Sequence, residues 1–214
     1  MLVVIWLAAI FTKIIKCELV VFTNQSGNQA GRDFAGRDIY NTDIRIVTQA
    51  AIEELAHLYE KMKADGIGDP SGNSFSRKLQ HYMSSPTDGD VRGLEEKLRD
   101  SNRLDMLHFA MKEKESAVKL IMKFQSSKSA QRVYTILLDE LHTIYMLTVT
   151  PVIEGGGDRQ AVDLIISQAL QTVKSMLGEN FMEFTVKDLL GLLFFLAGNC
   201  HIRWDKNADL SPSV

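Results

Sequence analysis

The run from Leu189 to Ala197, Leu-Leu-Gly-Leu-Leu-Phe-Phe-Leu-Ala, carries no polar side chain, and it restricts the folds open to this chain more than any other segment. Thr185 stands three residues before Asp188, a relative of the capping box, so the run reads as a helix entered at Thr185. Gly198-Asn199 is a suitable stop. A helix that is apolar all round must be covered on every side. It is therefore expected to be the central, most buried element of a helical bundle.

The remaining apolar residues recur at helical spacing, broken by turn-forming clusters. Thr42 or Asp43 can cap a helix through Ile44, Val47, Ala51, Leu55, Leu58 and Met62 that ends near Asp65-Gly66. Asp69 to Asn73 is a loop by composition, a short helix is expected around Phe75 to Met83, and Ser84 to Gly89 breaks it. Leu94, Leu98, Leu104, Leu107 and Met111 mark one or two helices reaching about Phe124, interrupted near Ser101-Asn102. Another helix is expected from Ser129 to Thr148. Pro151 with Gly155, Gly156 and Gly157 then forms the clearest stop in the body. Asp158 can cap the helix carrying Val162, Ile165, Ile166, Ala169, Val173 and Leu177, which ends near Gly178, and the tail after Asp205 is expected to fray.

At 214 residues the chain fits one ordinary domain or a small N-terminal element plus one helical domain. With 45% hydrophobic and 24% charged residues the body should fold. A net charge of −3 and a pI near 6.0 give no global field for nucleic acid, so no nucleic-acid partner is expected. Cys17 and Cys200 lie far apart and form no disulfide framework, which fits a reducing cytosol.

The chain opens on an apolar segment, residues 1–22. Met1 to Phe11 is wholly apolar, but Lys13 and Lys16 follow too soon for a span of about 20 apolar residues. No basic region precedes the run and no Ala-x-Ala site follows, so a signal peptide is disfavoured. A buried strand or helix, an interfacial anchor and an upstream extension from a misassigned start all stay open.

Residues 23–41 contain a tandem repeat: Ala30-Gly31-Arg32-Asp33-Phe34, then Ala35-Gly36-Arg37-Asp38-Ile39. The units match at four of five positions and each ends in a large apolar residue. Glycine permits a sharp corner and aspartate can hydrogen-bond the backbone after it, so the repeat reads as β-type extended structure. Two such units cannot bury a core, because stacked repeats need about three or more. Gly31, Arg32, Asp33, Phe34, Gly36, Arg37, Asp38 and Ile39 are therefore expected to form an oligomerisation element that borrows neighbours from other chains. The competing reading is a flexible Gly-rich linker. Arg32 and Arg37 could present a ladder to phosphate or carboxylate, but pairing with Asp33 and Asp38 of adjacent units is favoured.

No chemistry assembles from the motifs. The histidines, His57, His81, His108, His142 and His201, form no Cys-x-x-Cys or His-x-x-x-His pattern, so no metal is expected. Gly155 to Gly157 lacks the lysine of a phosphate loop, so no nucleotide cofactor is implied. Cys200-His201 could be half of a nucleophile and base, but adjacent residues usually point apart. A buried thiol and a hydrogen-bonded histidine are the expectation.

The ending Leu189 to Ala197 followed by Gly198-Asn199-Cys200-His201-Ile202-Arg203-Trp204 resembles that of a helical domain associated with bacterial ABC-three-component systems. Lys78-Leu79-Gln80-His81-Tyr82-Met83 and Arg92-Gly93-Leu94-Glu95-Glu96-Lys97-Leu98 look similar to the same family, and the likeness spans roughly Asn41 to Asp205. The resemblance implies a three-part cassette acting against phage or plasmids: an ABC-class ATPase, a small middle component, and an effector bearing this domain as its coupling piece. The repeat is similar to the beads that precede such domains. The apolar segment Met1 to Phe11 occupies the position where the usual effector layout has an enzymatic domain, so a stand-alone coupling subunit is expected, with a membrane-acting N-terminal segment as the alternative.

The expectation is thus a mainly α protein, a multi-helix bundle at 42–205 with a short N-terminal β-type Gly-Arg-Asp pentad repeat and a tail at 206–214. It should act without catalysis, cofactor or metal, as a homo-oligomer in the cytoplasm that docks the ABC-type ATPase and middle component of its system. The alternative is a membrane-acting effector that uses residues 1–16, clustered by the repeat.

Overall fold

The computed structural model describes residues 48–65, 74–85 and 91–206. The chain divides into two units, Met1–Thr42 and Asp43–Val214, and all described residues belong to the second. The pentad repeat and the apolar N-terminal segment lie outside the described residues, as do the caps expected at Thr42 and Asp43.

The described residues form helices and connecting turns, with no strand among them. These are α1 (Thr48–Asp65), α2 (Arg77–Met83), α3 (Leu94–Asp100), a 3-10 turn (Leu104–Met106), α4 (Leu107–Lys123), α5 (Lys128–Glu154), α6 (Arg159–Met176) and α7 (Val186–Gly198). Short polar side chains start most of them by accepting from otherwise orphaned amides. Ser76 accepts from Leu79 N at 3.3 Å, Ser127 from Ala130 N at 3.2 Å, and Asp158 from Ala161 N at 2.8 Å. At α7 the expected capping box is complete: Asp188 N donates to Thr185 Oγ1 and Thr185 N donates to Asp188 Oδ2.

α7 is the hub. It packs against α3, α4, α5 and α6, and Leu189, Leu192, Leu193, Phe194, Phe195 and Leu196 are all buried. Each such side chain contributes ~1.5–3 kcal/mol on removal from water. The contact with α4 is the most extensive. Small residues make it close: Ala117 of α4 faces Gly191, where a Cβ would lie 2.9 Å from the Glu113 carbonyl oxygen. α5 is the second core helix, covered by α1, α2, α6 and α7. Its length and composition would allow a membrane crossing, and 44% of its most apolar stretch is buried within the protein.

Pro151 does not end a helix, contrary to the sequence expectation. α5 runs from Lys128 to Glu154, through a π turn at Tyr145–Val149, well past the expected end at Thr148. In that turn Thr150 N donates to Tyr145 O, a register one residue longer than α. Pro151 thereby falls at the start of a fresh α turn, where its missing N–H is not required. The stop is the glycine run. Gly156 takes φ +79°, with Gly156 N donating to Ile153 O and Gly157 N to Val152 O, the paired bonds of a Schellman closure.

Candidate functional site

The residues that carry the family resemblance converge where α7 ends. Gly198 is the last helical residue and Asn199 the cap, but the left-handed position belongs to neither: Cys200 holds it, at φ +65°. Cys200 N donates to Ala197 O at 3.2 Å and His201 N to Leu196 O at 2.9 Å, so this is again a Schellman closure. The helix therefore stops at Gly198-Asn199 as expected, with Cys200 supplying the left-handed residue that follows. Glycine normally fills such a position, and a side chain there costs about 1–2 kcal/mol. Gly198 instead makes room for Lys114, whose Nζ occupies the space a Cβ would take.

A buried cation completes the closure. Lys97 of α3 has no exposed surface, and its Nζ donates to Ala197 O at 2.8 Å and Ile202 O at 3.0 Å. Its charge thus sits at the carbonyl end of α7, where the helix dipole favours a cation. Lys97 shares the apolar face of α3 with Leu94 and Leu98, all three buried. A lysine at that spacing was the sequence signal for this role.

The remaining residues of the motif each fasten a different element. Asn199 Nδ2 donates to Tyr82 O of α2 at 2.9 Å. Ile202 is buried, and Trp204 stacks on Phe194 with ring centroids 5.6 Å apart. Arg103, itself buried, lies 5.6 Å from the Trp204 ring and donates to Asp163 of α6 at 2.7 Å. Arg203 pairs with Glu154 at 2.6 Å, and Tyr145 Oη donates to Arg203 O at 2.5 Å, which ties the motif to the π turn. Arg92 reaches Asp205 with two bonds of 3.0 Å and also pairs with Asp100. Arg92, Arg103 and Tyr145 carry no local pattern that marks them, because their partners are distant in sequence.

Cys200 and His201 point apart. The thiol is half-buried and donates to Arg92 O at 3.5 Å, while the imidazole enters an aromatic cluster with His81, Tyr82 and His142. His201 Nε2 is buried without a hydrogen-bond partner. Burial holds this imidazole below its usual range. His81 and His142 push it further down, and backbone hydrogen bonding at Tyr82 and Ser84 opposes them. Tyr82 Oη donates to Asp139 at 2.7 Å. Among the described residues no group of three or more His, Cys, Asp or Glu is arranged to hold a metal ion. The site as built does mechanical work: it closes α7 and clamps α2, α3, α5 and α6 around its end.

The eight repeat residues Gly31, Arg32, Asp33, Phe34, Gly36, Arg37, Asp38 and Ile39 lie outside the described residues. The family model of C-terminal domain 9 (CTD9) of the ABC-three component (ABC-3C) systems matches residues 93–204. No curated protein and no solved structure matches the chain. The match begins after Lys78 to Met83, so the likeness drawn from that stretch falls outside it, as do Arg92 and Asp205, while Lys97, Arg103, Tyr145 and Gly198 to Trp204 fall within it. Since the match covers more than half of the sequence, the chain belongs to the family of C-terminal domain 9 of the ABC-three component systems.

Proposed function

We propose that this chain is a non-catalytic interaction and oligomerisation module of a bacterial ABC-three-component system acting in conflict with phage. In this reading the helical body docks the ABC-type ATPase or the middle component in the cytoplasm, and the Gly-Arg-Asp repeat joins copies of the chain. The observation that carries it is the use made of the signature residues. Asn199, Cys200, His201, Arg203 and Trp204 are each engaged in closing and fastening α7 rather than meeting around a cleft. Such a clamp keeps an outer surface in one geometry, which a coupling piece needs.

Co-expression with an ABC-type ATPase and a middle component of such a system, followed by affinity purification and gel filtration, tests the docking role. At least one of the two should co-elute with the full chain. If both pass through while the chain elutes folded, docking is wrong.

A further inference from the structure

The outer face of α4 carries an apolar seam that the fold leaves open. Met111 and Val118 stand seven residues apart on α4, Met122 continues the line one turn on, and Leu104 lies just before the helix in the 3-10 turn. Leu104 is 47%, Met111 49% and Met122 42% exposed. A seven-residue spacing keeps one stripe in register with a second helix, and at 1.5 Å per residue the stretch from Met111 to Met122 is about 17 Å long.

Charge borders this seam. Lys112, Lys119 and Lys123 each follow a seam residue by one position and so share one edge, while the Lys114 side chain turns away to Gly198 at the end of α7. The helix's two carboxylates are occupied: Glu115 pairs with Lys119 at 2.7 Å, and buried Glu113 pairs with Lys187 at 3.1 Å. Among the described residues, Lys112 and Lys123 have no carboxylate partner, Lys123 lying 5.5 Å from the Phe124 ring. This is a basic border on a chain whose net charge is −3.

We infer that the α4 seam docks an acidic amphipathic helix of another protein, with its apolar stripe on Met111, Val118 and Met122 and its carboxylates along Lys112 and Lys123. A second copy of this chain fits poorly, since pairing the same face would set lysine edge against lysine edge. A bilayer fits poorly too. Glu115 sits within the stripe, and methionine, which adapts to protein surfaces, stands where membrane-lying helices place Trp, Phe or Leu. The inference deepens the docking role proposed above and rests on it.

The test uses the full chain and a designed helical peptide of about three heptads, with leucine at its seam and glutamate on both edges. Fluorescence anisotropy should show micromolar binding that weakens at least ~10-fold in the double variant Lys112→Glu, Lys123→Glu, while a lysine-edged counterpart peptide gains by a similar factor. Met111→Ser with Met122→Ser should also abolish binding, with circular dichroism unchanged. Absence of peptide binding, equal affinity after charge reversal, or binding to phosphatidylglycerol vesicles in place of the peptide would each overturn the seam. None of these would bear on co-elution with the ATPase or middle component, which is read separately.

Discussion

Replacing Lys97 by methionine keeps the volume of the side chain and removes its ammonium from the end of α7. Two effects oppose each other. The wild type bears a desolvation penalty of several kcal/mol for the buried charge, which the variant escapes. Against this, Ala197 O and Ile202 O lose their charged donor, each such bond being worth ~1.5–3 kcal/mol, and the helix dipole loses a cation worth up to ~2 kcal/mol. Accessibility decides the balance. Ala197 is 0% and Ile202 2% exposed, so water cannot replace the ammonium, and methionine offers no donor. Ala197 O keeps the Cys200 amide as a donor, so Ile202 O is the carbonyl left unpaired at ~1–3 kcal/mol, which puts the net loss near 2 kcal/mol. For a chain of this size that lowers Tm by about 4–8 °C. Urea denaturation followed by far-UV circular dichroism reads it directly, with an unchanged slope and with Lys112→Met on the exposed face of α4 as a control within about 0.5 kcal/mol of wild type. A Lys97→Met chain as stable as wild type, or more so, would show that desolvation governs and that the capping argument is wrong.

Gly191→Ala should destabilise by about 1–3 kcal/mol, because its Cβ would meet the rigid Glu113 carbonyl at 2.9 Å, and thermal melts should show it. Gly198→Ala should cost much less, since it meets only the movable end of Lys114. His201 is held below its ordinary 6.5 in the folded chain, so the unfolded chain binds the proton first as pH falls. Stability is therefore unaffected above that value and drops as pH falls below it, and urea midpoints at about pH 7.5 and about pH 5.5 should diverge more in wild type than in His201→Gln. Glu140 titrates above its ordinary 4.5 because of burial and then the neighbouring Asp139, and its Oε2 has no partner. It is harmless while protonated and costly once ionised, so Glu140→Gln should gain on the order of 1 kcal/mol at neutral pH and lose that advantage near its ordinary value. An equal or lower urea midpoint for Glu140→Gln at neutral pH would contradict this.

Local pattern made much of the helical body legible. The apolar run at Leu189 to Ala197 is the hub because a helix with no polar face has nowhere else to go, and Asp158 and Thr185-Asp188 cap as short side chains at helix starts do. The break at Ser101-Asn102 is likewise a matter of local chemistry, with Asn102 at φ +56° closing α3. What stayed hidden depends on distant partners. Pro151 reads as a stop until a π turn shifts the register ahead of it, and that shift accompanies the packing of the turn on α6. The left-handed residue at the end of α7 is Cys200 rather than the nearby glycine, since the helix runs through Gly198, beside which the side chain of Lys114 lies. The clamp itself depends on Lys97, Arg103 and Tyr145, buried beside groups some 60 to 105 residues away in sequence.

Self-association through the repeat is the part of the account that a single measurement reaches most directly. Sedimentation velocity on the full chain, compared with a chain lacking Gln29 to Asn41, should give a stable oligomer for the first and a monomer of unchanged helicity for the second. A full chain that sediments as a monomer at micromolar concentration, or an oligomer that survives the deletion, contradicts it.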